Sequence, residues 1–261
     1  MTQKIYQIDA FADKVFSGNP AAVCPLDKWL NNDVMQNIAM ENNLAETAFF
    51  VKRDNLYEIR WFTPSVEVDL CGHATLAAAF VLFNCEGHTD ATIHFYSPRS
   101  GNLTVTKDND YLTLNFPTDI FESFPLTDEL INGFDIMPEF VFKGKTDYLL
   151  VFKDEEQISK ITPRLDIISR LKARGVIVTS KGNEVDFVSR FFAPQSGVNE
   201  DPVTGSAHTT LIPYWSNILG KEDLTAIQLS KRKGYLKCKY LNDRVEISGQ
   251  AKIYLAGEIY F

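Results

Sequence analysis

The sequence contains a long-range internal repeat. Residues 60–64 (RWFTP) return as residues 190–194 (RFFAP), and residues 71–74 (CGHA) return as residues 204–207 (TGSA). The second pair of segments is 133 residues apart (204 − 71), and the same spacing relates two sets of residues with strand-like alternation. The two sets are Gly101, Leu103, Val105, Leu112 and Leu114, and Gly234, Leu236, Cys238, Val245 and Ile247. A single spacing that links separate segments predicts a duplicated domain. This spacing is too long for a solenoid, whose repeats run at roughly 20 to 50 residues.

The chain length agrees with a duplication. A chain of 261 residues is long enough for two domains of about 130 residues, each with its own core. Residues 115–119 end a strand pattern and begin a proline-containing crossing, where we predict the domain boundary. The predicted halves are residues 1–116 and 117–261, and a return of the last residues to the first half stays open.

Each predicted half contains one apolar helix. Residues 74–83 are almost wholly apolar, and a helix without a polar face is buried on all sides. Its equivalent, residues 207–219, contains Pro213, which removes one helical hydrogen bond and predicts a kink or a break. We therefore predict an α+β fold of two similar halves, each with strands wrapped around a central helix, and an active site in the cleft between them.

The remaining pattern supplies strands and one further helix. Alternating apolar residues, bounded by turn residues, predict strands and a hairpin near the N-terminus, and apolar residues near helical spacing predict a helix. The predicted strands are residues 5–11, 21–24, 48–51, 57–62, 176–180 and 186–192, and the predicted helix is residues 31–41.

Composition and charge exclude several classes of function. The chain has no apolar run of the roughly 18 residues that a membrane span needs, so no membrane partner is expected. A net charge of −8 argues against nucleic acid, because phosphate binding needs clustered lysine and arginine. The N-terminus leads into an alternating strand pattern rather than a signal peptide, which predicts a cytoplasmic protein.

The cysteines do not indicate a metal site. Cys24, Cys71, Cys85 and Cys238 lack any C-x-x-C spacing, and the four histidines are spread along the chain. This pattern predicts no zinc site. Cys24, Cys85 and Cys238 are predicted to be buried thiols.

Two glycine-led helix starts are candidate binding sites. Gly72 and Gly205 each follow a loop and open an apolar helix. Free N–H groups at a helix start, with the positive end of the helix dipole, favour a carboxylate or phosphate, and glycine lets a ligand approach the backbone. Either start alone is also typical of an ordinary helix cap. Their repetition favours a ligand.

The two halves differ in the residues that carry chemistry. Cys71 and His73 in the first half correspond to Thr204 and Ser206 in the second. Glu46 lies at the start of an apolar strand, and burial of a carboxyl there would disfavour its charged form and suit it to acid or base catalysis. A surface charge or a cap is the alternative for Glu46.

Asp201 is a second acid without a counterpart. It lies just before the second helix start, and the residue in register with it is Val68 (201 − 133). An acid at this position could satisfy free N–H groups as a cap, or it could contact a substrate. His73, at the other helix start, could donate a hydrogen bond or carry a proton, and a partly buried capping role is its alternative.

These features resemble the PhzF-like isomerase family of phenazine biosynthesis. The resemblance runs from about residue 5 to the C-terminus, and its motifs occur in the order of that family. The motifs are residues 9–11 with 16–23, residues 43–49, residues 69–75 and residues 200–208. The family has the diaminopimelate-epimerase-like fold, in which two similar α+β halves each surround a central helix.

The resemblance also implies a chemistry. Glu46 would be the proton-transferring acid and base, with His73 and Asp201 assisting. Both helix starts, Gly72-His73 and Gly205-Ser206, would hold the acidic group of a small carboxylate-bearing substrate, with Cys71 and Thr204 beside them. The family uses no cofactor, its members are commonly homodimers, and its best-known reaction moves a proton and a double bond in a dihydro-hydroxyanthranilate.

Two other functions stay open from the sequence. Related racemases and epimerases use two opposed cysteines, but here the second position is Thr204, whose hydroxyl is too weakly acidic to replace a thiolate. A mechanism with one thiol, Cys71, would make the protein an epimerase or dehydratase of an amino or hydroxy acid. A protein that keeps the paired anion site without catalysis would be a small-anion binding protein.

Overall fold

The computed structural model describes residues 2–261 of the chain. The strands are β1 (Thr2–Ala10), β2 (Asn19–Leu26), β3 (Glu46–Arg53), β4 (Leu56–Phe62), β5 (Glu67–Val68), β6 (Thr92–Ser97), β7 (Gly101–Asp108), β8 (Tyr111–Pro117), β9 (Glu122–Ser123), β10 (Phe140–Lys143), β11 (Asp147–Val151), β12 (Gly175–Lys181), β13 (Phe187–Phe192), β14 (Asp223–Gln228), β15 (Gly234–Tyr240), β16 (Arg244–Gly249) and β17 (Ala251–Tyr260). The helices are α1 (Asn32–Asn42), α2 (Gly72–Asn84), α3 (Asp128–Asn132), α4 (Glu155–Lys160), α5 (Leu165–Ile168) and α6 (Gly205–Leu219), with a short 3-10 turn at Pro194–Ser196. Among residues 2–261, we find no helix with the length and apolar character that crossing a membrane requires.

The chain divides into two compact units. The first comprises residues 1–115 together with 248–261, and the second comprises residues 116–247. The last strand, β17, pairs antiparallel with β1 and therefore belongs to the first unit.

The two units share one order of strand pairing. In the first unit, β2 pairs in parallel with β3, β3 antiparallel with β4, β4 in parallel with β6, and β6 antiparallel with β7. In the second unit, the same sequence of parallel and antiparallel pairs joins β11, β12, β13, β14 and β15. The predicted strands and the hairpin of β1 and β2 are confirmed. The duplication and the α+β class are confirmed with them.

An arginine–glutamate bridge also repeats. Arg60 in β4 binds Glu67 with a closest N–O distance of 2.7 Å, and Arg190 in β13 binds Glu200 at 2.6 Å. Each guanidinium also stacks on the second aromatic residue after it, Phe62 at 5.2 Å and Phe192 at 4.9 Å. Because a glutamate precedes each helix start, this bridge ties the loop before the helix to the strand in both units.

Helix α2 is the central element of the first unit. Every residue from His73 to Leu82 except Phe80 is buried, as the sequence predicts for a helix without a polar face. The helix packs on β1, β2, β3 and β7. Helix α1, which was predicted at residues 31–41, forms at Asn32–Asn42 and buries Met35, Ile38 and Ala39 in a smaller cluster with β2 and β3.

Helix α6 is the central element of the second unit, and of the predicted kink or break at Pro213 the break does not occur. The helix runs unbroken from Gly205 to Leu219 with Pro213 inside. Proline lacks the N–H that would bind the carbonyl of Thr209, four residues earlier. That carbonyl instead accepts a hydrogen bond from the backbone N–H of Asp119, at 3.2 Å. A donor from another segment thus satisfies the carbonyl.

Candidate active site

Glu46 is placed by the end of helix α1 and the start of β3. The helix stops at Asn42 because Asn43 adopts a left-handed conformation, with φ of 49°, which an asparagine tolerates well. The chain then turns into β3, whose first residue is Glu46, paired in register with Ala21 of β2. The Glu46 side chain is 18% exposed, so the carboxyl is largely shielded but can still be reached from solvent.

His73 meets Glu46 at the start of helix α2. His73 Nε2 lies 3.2 Å from Glu46 Oε2, and the imidazole is only 6% exposed. Within residues 2–261, Oε2 is buried and has no other hydrogen-bond donor. The sequence predicted both residues as site residues, and the structure brings them together in the first unit.

Asn19 contacts the other nitrogen of the imidazole. Its side-chain amide lies 3.2 Å from His73 Nδ1, and Asn19 is fully buried. An imidazolium nitrogen can only donate, so the amide oxygen is the atom that can accept from it. The turn before Asn19 depends on Gly18, whose φ is +64° and where a Cβ atom would lie 2.1 Å from the carbonyl oxygen of Ala10. Asp9 also supports this turn, by accepting a hydrogen bond from the N–H of Phe16 at 2.8 Å. The motif at residues 16–20 therefore serves to hold Asn19 against the imidazole.

Cys71 is the third reactive group of this cluster. It precedes helix α2, and its Sγ lies 3.5 Å from His73 Nδ1 and 4.0 Å from Nε2. Burial, and next the charge of Glu46, raise the pKa of the Cys71 thiol to about 11. The thiol therefore carries its proton near pH 7, which makes it a poor base.

The imidazole of His73 is the charged partner of Glu46. Burial opposes its charged form, but the neighbouring Cys71 and Glu46 outweigh burial and hold the pKa of His73 well above its usual value. Of these two neighbours, Glu46 lies against Nε2. Glu46 and His73 thus form a close acid–imidazole pair in a largely dry environment, and this contact favours the imidazolium.

The same three side chains are the one group of metal-ligating residues found among residues 2–261. One ligand atom from each of Glu46, Cys71 and His73 lies within 4.8 Å of the others. The thiol lies nearer to Nδ1, whereas the carboxylate lies beside Nε2. The group offers three ligand atoms, one fewer than the four protein ligands of a structural zinc site.

In the second unit, the residues before helix α6 form a hydrogen-bonded turn. Thr204 Oγ1 donates to Asp201 Oδ2 at 2.5 Å, and the buried side chain of Gln228 binds both the backbone and the hydroxyl of Thr204. Asp201 and Thr204 were predicted as site residues, whereas Gln228 was not. No sequence motif marks Gln228, because its partners lie 24 and 27 positions earlier in the chain.

Both helices start where the sequence predicts. Helix α2 begins at Gly72 and α6 at Gly205, and neither Cys71 nor Thr204 caps its helix with a side-chain hydrogen bond. In each unit, the fourth residue after this position instead binds its carbonyl: Thr75 Oγ1 donates to Cys71 at 2.6 Å, and His208 Nδ1 donates to Thr204 at 2.8 Å.

Arg174 stands beside the second helix start and was missed by the sequence reasoning. Its Nη1 donates to Ser206 Oγ at 2.7 Å, while its other nitrogens bind the buried carboxylate of Asp147. Burial opposes the charge of the guanidinium, but Asp147 outweighs burial and raises the pKa of Arg174 further. Ser206, a predicted site residue, thus has a permanent positive charge next to it.

The second unit has no acid equivalent to Glu46, for a steric reason. Glu46 opens β3, and Gly175 opens the equivalent strand β12. A Cβ atom at Gly175 would lie 2.3 Å from the ring of Phe191. A side chain there would require the Phe191 ring to move, so the packing in the second unit disfavours an acid at the position equivalent to Glu46.

Comparison with known proteins identifies the family. The sequence pattern of the family described as "Phenazine biosynthesis-like protein" matches residues 8–257. An "uncharacterized isomerase" of Pseudomonas aeruginosa is 50% identical over 260 residues, which cover 100% of both chains. The chain belongs to the phenazine biosynthesis-like family.

Solved structures agree with this family and with the fold. A PhzF-family phenazine biosynthesis protein of Enterococcus faecalis superposes with a TM-score of 0.97 at 50% identity, and the match covers 100% of both chains. A hydroxyproline epimerase from Agrobacterium vitis, solved with bound trans-4-hydroxy-L-proline, matches with a TM-score of 0.62 at 9% identity, covering 99% of this chain and 92% of that chain. The predicted membership of the PhzF-like family and the epimerase-like α+β fold are confirmed.

Proposed function

We propose that the protein is an isomerase that moves a proton and a double bond in a small carboxylate-bearing metabolite, without a cofactor. The observation that carries this proposal is the contact of Glu46 with His73 at the start of helix α2. A shielded carboxylate with a cationic partner is suited to take up a proton and return it. The name of the P. aeruginosa relative, an uncharacterized isomerase, supports the reaction class.

The chemistry needs one group that acts first as a base and then as an acid. Glu46 Oε2 faces His73, so we assign Oε1 to the substrate. Oε1 removes a proton from a carbon atom, the electron pair left behind becomes part of a shifted double bond, and the same carboxyl returns the proton to a second carbon. The substrate and product have the same composition, and Glu46 ends in its starting state.

His73 and the helix starts have supporting roles in this proposal. The imidazolium holds the carboxylate in place and stabilises its charge before the first proton transfer and after the second. The N–H groups at Gly72 and Gly205, with Ser206 and its neighbour Arg174, supply positive potential for the substrate's acidic group. Asp201 and Thr204 complete the proposed set, with Cys71 beside the imidazole.

The epimerase or dehydratase that depends on Cys71 is a weaker fit. Such an enzyme needs a thiolate, and burial keeps the Cys71 thiol protonated near pH 7. The proposal also includes a homodimer, which the family resemblance implies, and a cytoplasmic location, which the sequence predicts. Light scattering on the purified protein measures the first.

Deuterium uptake from D2O tests the proposed function. Wild type and Glu46→Gln are incubated with a panel of small cyclic and unsaturated amino and hydroxy acids, including dihydro-hydroxyanthranilate, and carbon-bound deuterium is measured by mass spectrometry. We expect uptake with wild type and a loss of at least about 100-fold in Glu46→Gln, the lower end of what a general base contributes. Saturable binding without uptake in any compound would instead identify an anion-binding protein.

A further inference from the structure

Gln228 is a buried amide that serves one turn of the chain. It is the last residue of β14 and is fully buried. Its Oε1 accepts a hydrogen bond from the backbone N–H of Thr204 at 2.8 Å. Its Nε2 donates to the backbone carbonyl of Asp201 at 2.7 Å and to Thr204 Oγ1 at 3.2 Å. All three bonds end on the turn that precedes helix α6.

These bonds fix the direction of the Thr204 hydroxyl. A backbone N–H can only donate, so the amide oxygen must face it and the amide nitrogen must face the carbonyl and the hydroxyl. Because Thr204 Oγ1 accepts from Gln228, its single proton is left to donate to Asp201 Oδ2, 2.5 Å away. The amide, the hydroxyl and the carboxylate thus form an ordered chain of hydrogen bonds.

The comparison of the two units gives a second reason to single out Gln228. Gln228 pairs with Gly234 of β15, and Ser97 pairs with Gly101 of β7, the residue 133 positions before Gly234, so Ser97 is the equivalent of Gln228. Asp201 corresponds to Val68. The amide is therefore present in the unit that has the acid and is replaced by the short hydroxyl side chain of Ser97 in the unit that lacks the acid.

We propose that Gln228 is a positioning residue of the active site, which acts through the Thr204 hydroxyl to hold the Asp201 carboxylate in its working orientation. This inference rests on the proposed function, in which Asp201 assists at the substrate. The hydrogen bonds of Gln228 end on Asp201 and Thr204, so we expect its effect on turnover to pass through Asp201.

A double-mutant cycle tests the inference. Gln228→Leu and Asp201→Asn are made singly and together, and kcat/KM for deuterium uptake is measured. We expect Gln228→Leu to lower kcat/KM at least tenfold in the wild-type background and less than twofold in the Asp201→Asn background. Equal fold-changes in both backgrounds would overturn the inference, because Gln228 would then act independently of Asp201.

Two further variants separate hydrogen bonding from packing. Gln228→Glu keeps the side-chain shape but loses the donor, so it is expected to lose activity as Gln228→Leu does. Thr204→Ser keeps the hydroxyl and should keep most activity, whereas Thr204→Val should not. Full activity in Gln228→Glu and Thr204→Val would show that the hydrogen-bond chain has no role.

A crystal structure of Gln228→Leu gives a result that does not depend on turnover. We expect the Asp201 carboxylate to leave Thr204 Oγ1, with a separation beyond 3.5 Å, while helix α6 stays in place. An unchanged contact between Asp201 and Thr204 Oγ1 would overturn the positioning role, even if wild type proved inactive on every compound. If wild type is inactive but the Asp201 carboxylate moves as predicted, only the proposed function is overturned.

Discussion

In the proposed function, the acid and the imidazole at the start of helix α2 have different roles. Glu46 supplies an oxygen that can accept a proton, and His73 supplies the compensating charge 3.2 Å away. Cys71 touches the same imidazole yet keeps its proton. We therefore propose Glu46 as the base of this cluster, although the sequence offered both Glu46 and Cys71.

Cys71 is expected to react slowly with alkylating reagents. Burial raises its pKa to about 11, so only a small fraction is thiolate at pH 7.5. Iodoacetamide labelling followed by peptide mass spectrometry should modify Cys71 more slowly than Cys85, which is less buried and serves as the internal control. Faster labelling of Cys71 than of Cys85 would contradict the neutral thiol and revive a mechanism based on Cys71.

The sequence predicted those site residues that sit beside a recognisable local signal. Glu46, Cys71, His73, Asp201, Thr204 and Ser206 lie at helix starts or at a strand start, which glycine and the apolar pattern mark. Asn19 contacts His73, and Arg174 and Gln228 contact the residues at the start of helix α6. These contacts are between segments that are distant in the sequence, and no spacing rule encodes such contacts. The sequence also could not show that the carbonyl freed by Pro213 would find a donor at Asp119.

Among the strands, β12 shows how packing excludes a second acid. Gly175→Ala is expected to destabilise the protein by about 1–3 kcal/mol, because the added Cβ would meet the Phe191 ring at 2.3 Å. Urea unfolding measures the change. Gly257→Ala in β17 is the matched control, since its Cβ would meet nothing closer than 3.9 Å. Equal stability of the two variants would mean that the Phe191 ring moves aside freely.

Over the whole molecule, the duplicated fold was predictable from the sequence. The reason why the two units carry different side chains at equivalent positions was not. The repeat spacing, the two apolar helices and the strand patterns led to the paired α+β units. Equivalent positions of the two units carry different side chains. The carbonyl before the helix, for example, is bound by Thr75 in the first unit and by His208 in the second. Which copy retains an acid depends on contacts such as that of Gly175 with Phe191.

His208 makes the stability of the folded chain depend on pH. Burial lowers the pKa of His208 to about 4, against about 6.5 in the unfolded chain. Between these values the unfolded state binds the extra proton, so the free energy of unfolding falls as pH decreases from about 6.5 to 4, by up to about 3 kcal/mol from this group. His73 acts in the opposite sense, since its raised pKa adds stability that is lost as pH rises through its folded value.

Urea unfolding from pH 7 to pH 4 measures the contribution of His208. The free energy of unfolding of His208→Gln should fall less over this range than that of wild type, because the titrating group is gone. His94→Gln, at an exposed position of β6, is the control and should follow wild type. Parallel curves for all three proteins would show that His208 does not titrate at an unusual pH.

The central claim is that Glu46, and not Cys71, transfers the proton. The most direct measurement is the rate of deuterium uptake into one active compound by wild type, Glu46→Gln and Cys71→Ala under identical conditions in D2O. We predict that Glu46→Gln loses uptake by at least about 100-fold and that Cys71→Ala stays within about tenfold of wild type. Uptake that disappears in Cys71→Ala and persists in Glu46→Gln would contradict the account and assign the chemistry to the thiol.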